Sequence, residues 1–243
     1  KKSFVGLLKD LKNLDLSTGR GKFDFIINRD IETKSGILKK GEFHVELNTA
    51  GFSSVMNSMV AISISLLDGI DIVTIQRALR IFRGVERRFE IIFEKDFKII
   101  DDHFANEVNI DVTLETLCKM KYNDIKFLYA IRGNRGVELN EENALKIIEW
   151  NNKLKLSEIY ATLSRDTVTW KDEVSDEERD IFLKIMKENN IKVHLFDTLK
   201  EAVETVIDIA QKDDVVMFAG CQGMDKAGRI GLNYILEKNN SYD

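Results

Sequence analysis

The chain contains no proline, where average usage of about 5% would give roughly a dozen. Its turns must therefore be made by Gly, Asn and Asp. It has only two cysteines, Cys118 and Cys221, which excludes a disulfide scaffold and suits a reducing compartment. No block of Lys and Arg stands out, and the net charge is −5 with a pI near 5.5. Nucleic-acid binding is not expected, because neutralising phosphates needs a concentrated basic face. Nor is a membrane partner expected. The longest stretch without charge, Leu47 to Leu67, carries Asn48, Gly51, Asn57 and five serines, which is no membrane span. The apolar run Phe4 to Leu8 is too short for a signal peptide. A cytoplasmic location follows as the expectation, with the start at Lys1 read as that of a processed product or fragment.

What is present is a soluble globular composition, 44% hydrophobic and 32% charged, in 243 residues. That length suits one large domain or two small ones. Phe4, Leu7, Leu8, Leu11 and Leu14 have helical spacing, broken by Ser17 to Gly21. Phe23, Phe25 and Ile27 alternate, as do Phe43, Val45 and Leu47, which predicts an antiparallel pair with Lys34 to Gly41 as the turn region. Val55, Met59, Ile62 and Leu66 mark a helix stopped at Asp68-Gly69. Asp71 is placed to cap the next, with Ile72, Ile75, Leu79 and Phe82 as its apolar face.

Beyond Gly84 two strands, Phe89 to Phe93 and Phe97 to Asp101, flank a tight turn. Strands at Ile125–Ile131, Glu158–Leu163, Ile191–Phe196 and Asp214–Ala219 then alternate with helices, two of them opened by capping boxes at Ser175/Glu178 and Thr198/Glu201. This predicts an α/β fold. Its C-terminal domain is a mostly parallel, doubly wound, Rossmann-like sheet, preceded by a smaller α+β part.

In such sheets ligands gather at the carboxyl ends of the strands. Asp101-Asp102-His103 there reads either as a site for a metal or a magnesium-bound phosphate, or as a solvated turn with an N-cap. His103 has no nearby Cys or His, so it is no zinc site. His44 and His194 read as structural. Gly133-Asn134-Arg135-Gly136 offers Arg135 to a carboxylate or phosphate, or is a plain turn. Gly220-Cys221-Gln222-Gly223 offers backbone N–H groups to an anion, with a tight strand-to-helix turn as the alternative and Cys221 as a remote candidate nucleophile. Arg83 to Arg88 reads as a solvated basic helix end.

In order, these pieces resemble the carboxyl-terminal half of the Mur ligase family. The stretch from Gly51 to Ala61 is similar to the family's Gly-x-His-Asn-x-x-Asn-Ala-x-Ala-Ala, with Asn57 kept and Ser53 and Ser54 replacing His and Asn. Phe82 to Glu90 is similar to Phe-x-Gly-Val-x-Gly-Arg-x-Glu, with Arg88 as its arginine. Asp101 to Glu107 stands where the family has Asp-Asp-Tyr-Ala-His-Asn-Pro. Ser164-Arg165-Asp166 stands where the diaminopimelate-adding members have Asp-Asn-Pro-Arg, a motif not preserved here. Asp214 to Gly223 resembles the family's last strand.

The resemblance implies a nucleotide site made by Asn57 for adenine, Arg88 for phosphate and Asp102 for ribose. It implies substrate contacts from His103, Asn106, Arg135, Ser164, Arg165, Gly220 and Gly223. ATP and Mg²⁺ are the implied cofactors, and a small amino-acid or peptide-like molecule the partner. The family's P-loop and its magnesium and carbamylated-lysine positions are absent from these residues. Residues 1–83 are thus expected to be part of a central ATPase-type domain, and residues 84–243 the third domain. The implied activity is amide formation between a carboxylate and an amine through an acyl phosphate, with no turnover by this chain alone. A degenerate binding or regulatory module on the same fold is the alternative, and an unrelated α/β nucleotide-binding domain a third.

Overall fold

The computed structural model describes residues 11–240. The chain divides into two compact units, residues 1–85 with 115–121, and residues 86–114 with 122–243.

The first unit is an antiparallel sheet backed by helices. β1 (Leu11–Asp15), β2 (Arg20–Ile27) and β5 (Gly41–Ala50) pair in that order. Between β2 and β5 the expected plain turn is instead a small hairpin, β3 (Ile31–Thr33) and β4 (Gly36–Leu38). Phe23 and Phe25 of β2 face Val45 and Phe43 of β5, and their alternation buries one side of the pair. α1 (Phe52–Leu67) adds Val55, Met59, Ile62 and Leu66 to this core, and α2 (Ile72–Ile81) adds Ile75. Asp71 caps α2 as expected, accepting from the Thr74 amide at 2.9 Å. Phe82 leaves the helix in an extended conformation and is exposed, not buried with Ile75.

The helix expected over the first leucines is corrected: Leu11 and Leu14 lie in a strand, and Phe4, Leu7 and Leu8 fall outside the described residues. The physical reason is a register irregularity in β1 with Asn13 at φ +52°. Such an irregularity shifts the alternation by one residue. Two leucines three apart then both pack against the core, which imitates helical spacing.

The second unit is built on six strands, β6 (Glu90–Glu94), β7 (Lys98–Asp102), β8 (Ile125–Ala130), β9 (Glu158–Thr162), β10 (Lys192–Phe196) and β11 (Val215–Ala219). Their order is β10-β9-β8-β11-β7-β6, all parallel except β6, which pairs antiparallel to β7. Helices α3 (Glu107–Lys119), α4 (Val137–Leu154), α5 (Asp176–Glu188), α6 (Leu199–Asp208) and α7 (Ala227–Asn240) alternate with the strands.

Leu128 and Ala130 point to α6 and α7, which bring Leu199, Val203, Val206 and Ala227 to that side. Their neighbour Tyr129 points the other way, stacking on Phe182 of α5 at 5.1 Å between ring centroids. The doubly wound sheet expected from the sequence is therefore present. The chain leaves β8 towards α4 on one face and leaves β11 towards α7 on the other. That reversal is where such sheets hold ligands.

The Ser175–Glu178 capping box is complete. At Thr198 only half forms: its side chain accepts from the Glu201 amide. Asp166, from the loop after β9, takes the Leu199 and Lys200 amides at 2.7 and 3.2 Å, so the helix start is already satisfied.

Candidate functional site

The loops after β7, β8, β9 and β11 meet at one edge of the second unit. The turn after β11, with a short 3₁₀ segment at Gln222–Met224, lies directly on β8. A Cβ on Gly220 would come 2.8 Å from that of Ala130, and one on Gly223 would meet Ala130 at 3.0 Å and the Ser164 Oγ at 3.3 Å. These glycines are there for close approach. Cys221 is buried in the turn, and burial pushes its thiol up, away from the thiolate a nucleophile needs.

Arg83 to Arg88 is not uniformly a solvated basic end. The Arg87 side chain is 13% exposed. Its Nε donates to Asp101 at 3.1 and 3.3 Å, its Nη2 to the Gly220 carbonyl at 2.5 Å, and its Nη1 to the Cys221 carbonyl at 3.3 Å and to Asp225. Arg88, next to it, is exposed.

Asp101 and Asp102 are both buried rather than solvated. Burial pushes the Asp101 carboxyl up to about 6, against the pull of the Arg87 guanidinium. Asp102 is also raised by burial; its oxygens accept from the Thr113 hydroxyl and, at 2.9 Å, from the Phe89 amide. All four carboxylate oxygens thus have donors. Among the described residues no group of three or more His, Cys, Asp or Glu is placed to hold a metal ion.

His103 is held below its ordinary range by burial and by Arg87, Arg88 and Arg132, so it is neutral at pH 7. A carboxyl NMR titration of Asp101 is expected to give a midpoint near 6, moving higher in Arg87→Gly once the guanidinium is gone. A midpoint below 4 in the wild type would contradict this.

The Gly133–Gly136 loop is filled from within. Glu178, buried in α5, accepts from the amides of Arg135 at 2.8 Å and Gly136 at 2.7 Å with one oxygen. Its other oxygen takes Asn134 and Ser175, both at 3.0 Å. Burial raises this carboxyl, yet the four N–H bonds outweigh it and hold it below the usual range. The Arg135 guanidinium, read from sequence as available to an anion, bonds Asp172 at 2.8 Å and the Asn134 carbonyl at 3.0 Å. Asn140 completes the loop by exchanging hydrogen bonds with the Arg132 backbone at 3.1 and 2.8 Å, and Arg132 donates to the Ala105 carbonyl at 2.6 Å.

Asn106 is exposed and accepts from the Asn109 amide at the start of α3. Ser164 is buried with φ +54°, its hydroxyl 3.3 Å from that of Thr162. Arg165 is exposed. Of Arg87, Arg88, Arg132, Arg135 and Arg165, only Arg88 and Arg165 have no side-chain hydrogen bond or ion pair to a described residue. The edge thus gathers Arg88, Asp102, His103, Asn106, Arg135, Ser164, Arg165, Gly220 and Gly223. Asn57 belongs to the first unit, exposed on α1. The sequence reading missed Arg87, Glu178, Arg132 and Asn140. Only Glu178 carried a signal, as the third residue of a capping box, and that box accounts for one of its four donors.

Residues 87–222 match the family described as Mur ligase, glutamate ligase domain. The chain belongs to the Mur ligase family. This Mur ligase chain is 26% identical over 227 residues to the UDP-N-acetylmuramate–L-alanine ligase of Caldicellulosiruptor saccharolyticus, covering 93% of itself and 46% of that protein. The solved UDP-N-acetylmuramate–alanine ligase of Thermotoga maritima shares its fold, with a TM-score of 0.63 at 21% identity over 94% of this chain and 46% of that one. A MurF ligase of the same organism, solved in complex with ADP, gives 0.58 at 18% identity over 96% and 47%. The chain spans about half the length of the relatives it matches.

Proposed function

We propose that this chain is part of an ATP-dependent ligase that joins a carboxylate to an amino acid through an amide bond. ATP gives its terminal phosphoryl group to the carboxylate, leaving ADP and an acyl phosphate, and the amine attacks the acyl carbon, loses a proton and expels inorganic phosphate as the amide forms. The activity named for the relatives points to a UDP-linked muramate as the carboxylate and L-alanine as the amine. The observation that carries the reading is the pair Arg88 and Arg165, exposed cations with no side-chain hydrogen bond or ion pair to a described residue, on one sheet edge of a Mur ligase fold.

Arg88 directs its charge at nucleotide phosphate, and Arg165 takes the carboxylate of the incoming amino acid, each by charge-assisted hydrogen bonds. His103, being neutral, and Asn106 serve as uncharged hydrogen-bonding groups. Ser164, Gly220 and Gly223 shape the crevice by their closeness, and Arg135 acts through the loop it braces. Asp102 fixes the Phe89 backbone, and the second lone pair of each of its oxygens is the acceptor offered to the ribose hydroxyls. Magnesium is the cation that would accompany the phosphates.

Calorimetric titration of the 243-residue chain with ATP–Mg²⁺ tests this. The wild type is expected to bind, and Arg88→Ala to bind about tenfold or more weakly, the loss of one charge-assisted hydrogen-bonding group. Equal affinity in the two proteins, or no binding by the folded wild type, would overturn it.

A further inference from the structure

The proposed function uses Arg88 and leaves its neighbour unexplained. Arg87 is a non-glycine residue held at φ +56°, an uncommon conformation that persists only where the surroundings impose it. Phe89 has φ +48°, and its amide is fastened to Asp102. Arg88 therefore stands between two anchored left-handed residues. The Arg87 guanidinium reaches three separate segments: Asp101 at the end of β7, the Gly220 and Cys221 carbonyls, and Asp225 beyond the 3₁₀ turn. The Arg87 carbonyl accepts from the His103 amide at 2.9 Å, which adds the exit of β7 to the same knot.

We propose that Arg87 is a positioning residue: its guanidinium ties the turn after β11 to β7 and fixes the backbone from which Arg88 extends to its ligand. The presentation of Arg88 rests on the reading of this edge as the nucleotide site; the tie does not. A planar fork with five donors serves acceptors in several directions, which a lysine ammonium on a flexible stem does not.

Arg87→Gly is the informative variant, since glycine adopts φ +56° freely; it removes the guanidinium together with its stem, and Arg87→Lys, which keeps the stem and Cβ but not the fork, separates the two. The Met224 and Asp225 amides donate within the turn at 2.8 and 3.2 Å and report on its order. Their hydrogen exchange is expected to quicken about tenfold or more in Arg87→Gly, with β9 unchanged and no rescue by Arg87→Lys. Unchanged exchange would overturn the tie.

Titration with tripolyphosphate then reads the presentation of Arg88, which a merely structural contact would not affect. Arg87→Gly is expected to weaken binding about tenfold although Arg88 is intact. Full affinity there, beside weakened binding in Arg88→Ala, would overturn the presentation. If the wild type does not bind tripolyphosphate, the nucleotide reading and the presentation that depends on it fail together, while exchange still judges the tie. Asp225→Ala removes one arm at a half-exposed position and is the variant to use should Arg87→Gly not fold. It is expected to show the same exchange pattern at smaller size, and unchanged exchange in it would also overturn the tie.

Discussion

Replacing Glu178 with glutamine is expected to lower the stability of the second unit by about 3 kcal/mol, the scale on which a buried charged network fails when one member is removed. Each carboxylate oxygen accepts two backbone N–H groups, from Arg135 and Gly136 on one side and Asn134 and Ser175 on the other. An amide keeps only one accepting oxygen. Its NH₂ then faces two part-buried backbone donors in place of an acceptor.

The effect has a definite pH dependence. The folded carboxyl lies below its usual range, so its stabilisation is present above the unfolded value of about 4.3 and is lost as pH falls through the lower folded value. Urea unfolding at pH 7 and at pH 3 measures both. The gap between wild type and Glu178→Gln is expected to be wide at pH 7 and to narrow in acid. A gap under about 1 kcal/mol at pH 7 would show that the loop does not depend on this carboxylate.

Gly133→Ala is expected to cost about as much by a different route. A Cβ there would lie 2.1 Å from the Asp172 carbonyl oxygen and 2.5 Å from the Glu173 carbonyl carbon. The obstructing atoms are backbone, so no rotamer change relieves the contact and the 172–174 segment must move. Overpacking of this kind costs about 1–3 kcal/mol, and the upper end applies where side chains cannot yield. Gly41→Ala is the control, with nothing within 4 Å of its Cβ, and is expected to stay within about 0.5 kcal/mol of wild type. Similar unfolding midpoints for the two variants would contradict the argument. Because Asp172 is also the partner of Arg135, Gly133→Ala and Glu178→Gln strain the same loop and are expected to be non-additive.

Much of the second unit was legible beforehand. The strand at Glu158 starts where its β-rich run begins, and the Ser175 cap sits where the Ser-x-x-Glu spacing puts it. These features rest on interactions between residues a few positions apart. The first strand was not legible, because an irregularity at Asn13 gave its leucines the spacing of a helix. The candidate site was legible as a set of loops at the strand ends but not as roles. Arg87 and Arg88 are indistinguishable as letters, as are Arg135 and Arg165.

In the second unit the order and type of the elements, the doubly wound sheet and the candidate edge at its strand ends were already written in the sequence. Hydrophobic period and turn chemistry are local properties and survive being read one window at a time. Which arginines remain for a ligand was decided only in three dimensions. A guanidinium is neutralised by whichever carboxylate or carbonyl the fold delivers to it. For Arg87 those partners lie 14, 133 and 138 residues away along the chain, beyond the reach of any local pattern.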